Sequence, residues 1–282
     1  MIRIVMDSAG DTPEGWLEEY DIQVIPINIH FGDQMFLQGV DLSNADFYRL
    51  VAESGRIPQT SQPTPQQFID FYKRIANPGD TILSIHITGK LSGTFDSAKI
   101  AARELSGQYN VLPLDSASGS AAMGYMCREA RIMERAGAAI EKIVDRLEFI
   151  SRNVQIVLTL NTLEYARKSG RVKALQAALA SLLNVKPIIV LHEGVIELED
   201  RVRTRQKSLE FVIDKMIGLI GAHPVNAAVV HAEDPDAGRQ LLKKVRTKLE
   251  CVELILTELS TGIAANLGPG TVGLIAYPVK EV

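Results

Sequence analysis

Apolar residues fall along this chain in short runs separated by stretches of helical spacing. Ile2 to Met6 is a continuous apolar run of strand length, followed by the loop Asp7-Ser8-Ala9-Gly10-Asp11; it predicts a buried strand. Asp11 is placed to cap a short helix, with Pro13 in the first turn and Glu14 three residues on. Ile22 to Ile29 is β-branched but interrupted by Pro26, which predicts an edge or irregular strand. Helical spacing follows at Phe47–Ala52 and Pro65–Ile75, with a strand at Thr81–Ile87, a helix at Thr94–Leu105 and a strand at Tyr109–Leu114. Two helices, Ala121–Arg135 and Ile140–Ile150, flank Gly137. Beyond Arg152 the pattern predicts a strand at Val154–Leu160, a short helix at Leu163–Lys168 ended by Gly170-Arg171, and a helix at Ala174–Leu183. Val185–Leu191 and Val195–Leu198 flank His192-Glu193-Gly194, a hairpin signal. The remaining expectations are helix Leu209–Ile220, strand Ala227–His231, helix Gly238–Leu249, strand Val252–Leu256 and, after the turn Gly268-Pro269-Gly270, strand Val272–Tyr277.

Such alternation predicts an α/β fold in two α/β domains, 1–155 with a mainly parallel sheet and 156–282 with a mixed sheet. Composition adds exclusions. The 282 residues are 46% hydrophobic and 23% charged, a globular balance. Lys plus Arg total 30 against 34 Asp plus Glu, so no basic excess points to nucleic acid. Cys127 and Cys251 are too few for a disulfide framework or a structural zinc site and read as core residues. The first apolar run is too short for a signal peptide, and no run approaches the ~20 apolar residues of a membrane helix. A soluble, cytoplasmic protein is expected.

In open α/β sheets ligands bind beyond the carboxyl ends of the strands. Here those ends carry Asp7-Ser8, Thr88-Gly89-Lys90-Leu91-Ser92-Gly93-Thr94 and Asp115-Ser116-Ala117-Ser118-Gly119-Ser120. A further loop, Gln59 to Pro65, also leads into a helix. Hydroxyls and helix-end amides on one rim suit a carboxylate or phosphate. The same residues are ordinary caps, and Thr64-Pro65-Gln66-Gln67 is a capping box. No phosphate-loop or nucleophile-elbow motif occurs. His86, inside an apolar strand, reads as a hydrogen-bonded core histidine; His231-Ala232-Glu233-Asp234 is a metal candidate on residue type alone. The run Arg201 to Lys207 reads as a solvated helix start or a docking patch for an acidic partner.

Several motifs, weak singly, fall in an order and spacing that resemble the DegV family of bacterial fatty-acid-binding proteins. They are Asp7-Ser8-Ala9-Gly10-Asp11, Thr60-Ser61-Gln62-Pro63 with Pro65, Leu91-Ser92-Gly93-Thr94 with Ser97-Ala98, and Asp115-Ser116. In the second half they are Thr162-Leu163-Glu164-Tyr165 with Gly170-Arg171-Val172, Lys186-Pro187-Ile188, Val202-Arg203-Thr204-Arg205 and Gly268-Pro269-Gly270. The resemblance implies a long-chain fatty acid such as palmitate in a tunnel between or within the domains. Its carboxylate would be held by Thr60 and Ser92, with Ser61, Gly93 and Thr94 adjacent and Arg171 in support. It implies no cofactor, no metal and no catalysis.

Some members of that family present the lipid to a fatty acid kinase. Arg203 matches the arginine implicated in that coupling, whereas Asn266 stands where those members carry histidine. Asn cannot titrate near neutral pH, so acyl binding is expected to survive while kinase coupling is placed in question. Thr88-Gly89 also replaces the family's usual Ser-Ser. Two other readings stay open. One is an enzyme acting on a small carboxylated or phosphorylated metabolite through Asp7, Asp115 and Arg171; the other is a regulator docking through Arg203.

Overall fold

The computed structural model describes residues 1–173 and 185–280. In its first part the chain runs β1 (Ile2–Asp7), α1 (Trp16–Glu19), β2 (Ile22–Ile25), β3 (Asn28–Phe31), β4 (Gln34–Leu37), α2 (Asn44–Ser54), β5 (Gln59–Ser61), α3 (Pro65–Ile75), β6 (Thr81–His86), α4 (Thr94–Glu104), β7 (Asn110–Asp115), α5 (Ala121–Arg135) and α6 (Ile140–Asn153). It continues as β8 (Gln155–Thr159), α7 (Glu164–Ser169), β9 (Val172–Lys173), β10 (Lys186–His192), β11 (Val195–Val202), α8 (Arg205–Ile220), β12 (Val225–His231), α9 (Pro235–Lys248), β13 (Cys251–Glu258), α10 (Thr261–Leu267) and β14 (Val272–Pro278).

Three sheets result. A parallel sheet has the order β2-β1-β6-β7, and an antiparallel sheet β4-β3-β5 stands beside it. A mixed sheet, β13-β12-β14-β8-β10-β11-β9, is built entirely from residues after 154. The expected α/β class, with one parallel and one mixed sheet, is what the chain adopts. Pro26 divides the Ile22–Ile29 run as its chemistry requires: without an N–H the ladder cannot continue. β2 therefore joins the parallel sheet and β3 leaves for the antiparallel one. The hairpin at Glu193-Gly194 also forms, both residues having positive φ (47° and 77°), which matches the twist of a two-residue turn. Thr64 completes its capping box, accepting from Gln67 N at 3.2 Å while Thr64 N donates to Gln67 Oε1 at 2.8 Å.

Some expectations fail. Asp11 caps no helix: α1 starts only at Trp16, after Gly15 at φ 85°, and Asp11 is drawn into the interior instead. The loop expected over Gln59–Pro65 begins as β5, because its backbone pairs with β3. The run Arg201–Lys207 straddles the end of β11 and the start of α8, whose cap is Thr204, accepting from Lys207 N. The helix expected at Ala174–Leu183 lies outside the described residues.

α5 joins the two halves. Every residue from Ala121 to Cys127 is buried, the pattern of a helix enclosed on all sides. Tyr125 donates from its phenol to the Ala227 carbonyl of β12 at 2.8 Å and packs edge-on against Trp16 and Tyr277. Gly124 allows the close approach on the other side: a Cβ there would sit 2.3 Å from the Asp11 carbonyl oxygen. Gly124→Ala is expected to lower stability by about 2 kcal/mol through overpacking, read as a lower urea midpoint at constant slope. An unchanged midpoint would show that α5 shifts without cost. Among the described residues no helix is long and apolar enough to cross a membrane.

Candidate functional site

The loops after β1, β6 and β7 face the inner side of the mixed sheet across a cavity of about 190 Å³. Its apolar wall comes from alternate strand positions, Ile156 and Leu158 on β8, Ile189 and Leu191 on β10 and Ile196 on β11, which is what a two-residue period places on one face. The opposite wall is Ala9, Ile87, Leu91 and the Ser118–Ser120 turn, with Leu259 and Ile263 beside it. One end is polar. There Thr60, Ser61, Gln62, Ser92, Gly93, Arg171 and Asn266 meet, and a polar antechamber of about 220 Å³ adjoins, sharing Thr60, Arg171 and Asn266 and adding Lys168. Among the described residues Arg171 is the one charged side chain on the cavity wall.

Each polar group has a local reason for its position. Thr60 and Ser61 ride on β5, held by β3. Behind them Asn28 donates to Ser61 Oγ at 3.3 Å and to the Gln62 carbonyl at 3.2 Å, and His30 Nε2 lies 2.8 Å from Ser61 Oγ. Asn28 and His30 were not among the expected site residues; their i, i+2 spacing on a strand is the signal that pairs them. Ser92 lies in the turn before α4. Thr94 is fully buried beneath it, 2.8 Å from Ser92 Oγ, so Thr94 orients Ser92 rather than lining the cavity. Gly93 lets the Gln62 amide approach: a Cβ would lie 2.8 Å from Gln62 Nε2. Gly170, left-handed at φ 70°, ends α7 and turns the chain toward Arg171, whose Nη1 donates to the Ser169 carbonyl at 2.6 Å. Asn266 donates to the Gly262 carbonyl at 2.7 Å and toward Thr60 Oγ1 at 3.4 Å. The expected docking residue Asn266 therefore stands at the mouth, whereas Arg203 is exposed between β11 and α8 and lines neither space.

The alternative trio Asp7, Asp115 and Arg171 is not assembled: neither aspartate lines the cavity. Asp7 is buried and accepts from Ala9 N, Ile87 N and His86. Asp115 accepts from Gly89 N and Ala117 N. Both carboxylates tie loops together. His86 is the hydrogen-bonded core residue expected, between Asp7 at 3.1 Å and Ser84 Oγ at 2.7 Å, with the Tyr72 phenol beyond at 2.8 Å. That order resembles a hydrolytic triad, yet Ser84 and His86 are fully buried, so no substrate reaches the hydroxyl. Burial drives the Tyr72 phenol's pKa well above its ordinary value. Around His231, and elsewhere among the described residues, no three His, Cys, Asp or Glu side chains converge as metal ligands.

Asp11 is the site's most perturbed acid. Burial pushes its pKa up to about 7, opposed by hydrogen bonds from Ser120 and Ser260 and reinforced by the nearby Glu258 carboxylate. It accepts from Ser120 Oγ and from Ser260 N at 2.8 Å, linking the start of α5 to the start of α10 directly behind the cavity wall.

The sequence profile described as "Uncharacterised protein, DegV family" matches residues 1–279. The chain belongs to the DegV family. A DegV domain-containing protein of Listeria innocua is 32% identical over 275 residues, 97% of each chain. A DegV protein structure from Thermus thermophilus, described as showing fatty acid binding, superposes with a TM-score of 0.89 at 31% identity over 99% of both chains. A Thermotoga maritima structure described as revealing fatty acid binding function gives 0.86 at 27% identity, again over 99% of both. The motif-based resemblance thus names the right family, and the DegV fold extends over the whole chain.

Proposed function

We propose that this DegV protein binds one long-chain fatty acid, holding the acyl chain in the cavity between the parallel and mixed sheets and the carboxylate at its polar end. The observation that carries this reading is the polarity gradient: five alternating aliphatic side chains on one wall, and a single guanidinium with hydroxyls and amides at one end. Thr60, Ser92 and Arg171 would receive the carboxylate, with the start of α4 adding its dipole; Ser61 and Gly93 complete the rim. Each buried methylene contributes ~0.8 kcal/mol, so a chain of about 15 gives on the order of 12 kcal/mol before ordering and desolvation losses. The role is carriage without chemistry: Asp7, Asp115 and His86 are committed to structural hydrogen bonds away from the cavity. In this reading residues 1–155 supply the head-group loops and 156–282 the acyl wall, in a cytoplasmic carrier. A fatty acid kinase would have to reach the head group at this mouth, where Asn266 braces Thr60 instead of offering a titratable ring.

Mass spectrometry of the purified protein, native and then after organic extraction, tests the reading. One fatty acid per chain is expected. A protein that stays empty after incubation with palmitate and oleate would overturn it. Thr60→Ala with Ser92→Ala should weaken palmitate binding about tenfold, since water replaces the lost donors in part; unchanged affinity would remove these two hydroxyls from the head-group site.

A further inference from the structure

A second group of family motifs converges away from the acyl cavity. The end of β8, the starts of β10 and β14 and the ends of β11 and β12 lie on one edge of the mixed sheet, as their antiparallel and parallel registers require. That edge brings together Asn161, Lys186, Arg205, Asp234 and Gly270. Arg205 Nη2 donates to the Gly270 carbonyl and lies 3.3 Å from Asp234 Oδ2, while Lys186 Nζ donates to Asn161 Oδ1. Gly270 is left-handed at φ 77°, and a Cβ there would come within 2.9 Å of Asn161 Cβ and 3.4 Å of Arg205 Nη2, so the five residues form one packed set.

Its charges do not balance. Two cations face one carboxylate, and Arg205 Nη1 is buried with no hydrogen-bond partner among the described residues. An unpartnered guanidinium N–H is costly to bury. Two helices begin at the same edge, α8 capped by Thr204 and α9 by Asp234, and their first-turn amides favour an anion. The pKa values of Lys186 and Arg205 both lie below their ordinary values, chiefly through desolvation, and for Lys186 also through Arg205 beside it. Both groups are therefore short of negative charge.

We infer that Lys186 and Arg205, at the carboxyl edge of the mixed sheet, form an oxyanion site for a phosphate group, separate from the fatty-acid carboxylate site. Arg205 would offer Nη1 and Lys186 its ammonium to two different oxygens of the same tetrahedral anion. The group would be free phosphate or the phosphate of a small monoester. The site does not depend on what fills the acyl cavity.

Calorimetric titration of the full chain with inorganic phosphate, and separately with glycerol phosphate, tests this. Saturable binding of one anion per chain is expected. Lys186→Gln and Arg205→Gln should each weaken it about tenfold or more, while Lys215→Gln, which removes a distant cation on α8, leaves it unchanged. Lys186→Gln disturbs no backbone contact of the Gly268–Gly270 turn, so it reports even if Arg205→Gln loosens that turn. Tighter binding of the ester assigns a substituent next to the phosphate; equal binding assigns the free ion. Absence of saturable binding, or equal affinity in wild type and Lys186→Gln, overturns the site. Fatty-acid occupancy, measured on the same samples, should not change.

Discussion

Replacing Ile156 with tryptophan should weaken palmitate binding about a hundredfold while a short acid such as octanoate is affected much less. The argument rests on strand order. Arg171 immediately precedes β9, the edge strand, and Ile156 lies on β8, three strands inward across β11 and β10. At ~4.8 Å per strand that is about 14 Å, so a chain anchored at Arg171 reaches β8 only with its distal methylenes. An indole on β8 would exclude about four of them, ~3 kcal/mol at ~0.8 kcal/mol each, or roughly two decades in affinity. The cavity offers the indole room, and an unchanged near-ultraviolet dichroism outside the tryptophan bands would confirm an intact fold. Equal losses for both acids would mean that the tail does not run toward β8.

Asp11 yields the second large effect, on stability. Its pKa is about 7 in the folded protein against an ordinary value of 3.8. Because the folded value is raised, its favourable contribution is fully present below about pH 4 and is lost as pH rises through 7. The shift of about three units corresponds to on the order of 4 kcal/mol. Asp11→Asn keeps an acceptor for Ser260 N and removes the charge, leaving Glu258 without its buried neighbour. Relative to wild type, Asp11→Asn should gain stability steadily between pH 5 and pH 8 in urea denaturation. Parallel pH profiles for the two proteins would show that Asp11 is already charged without cost, and would sink the assignment.

Much of this was legible before any coordinates. Pro65–Ile75 and Ala121–Arg135 are predicted to the residue because periodicity and caps agree there. The DegV motifs, read in order, locate Thr60, Ser92 and Arg171, which the fold gathers at one end of one cavity. What was hidden is non-local. β4 and α10 are too short to carry a period of their own. Asp11 has the look of a helix cap, and only the partners Ser120 and Ser260, 109 and 249 residues away, take it inside. Thr94 sits within the right motif but points into the core, a distinction that one residue of helical rotation decides. Asn28 and His30 support Ser61 across a strand pair whose register no local pattern encodes.

The two walls of the acyl cavity belong to segments far apart in the chain, with the Glu193-Gly194 hairpin clasped to Thr88 and Lys90 across it. A lipid lying there would complete a core that the polypeptide leaves unfinished. Its binding energy then adds to the free energy of unfolding, growing with the logarithm of free lipid over Kd. Two preparations of identical sequence, differing only in the growth medium that loaded them, would melt at different temperatures. The melting point of this protein is as much a record of its lipid history as of its residues.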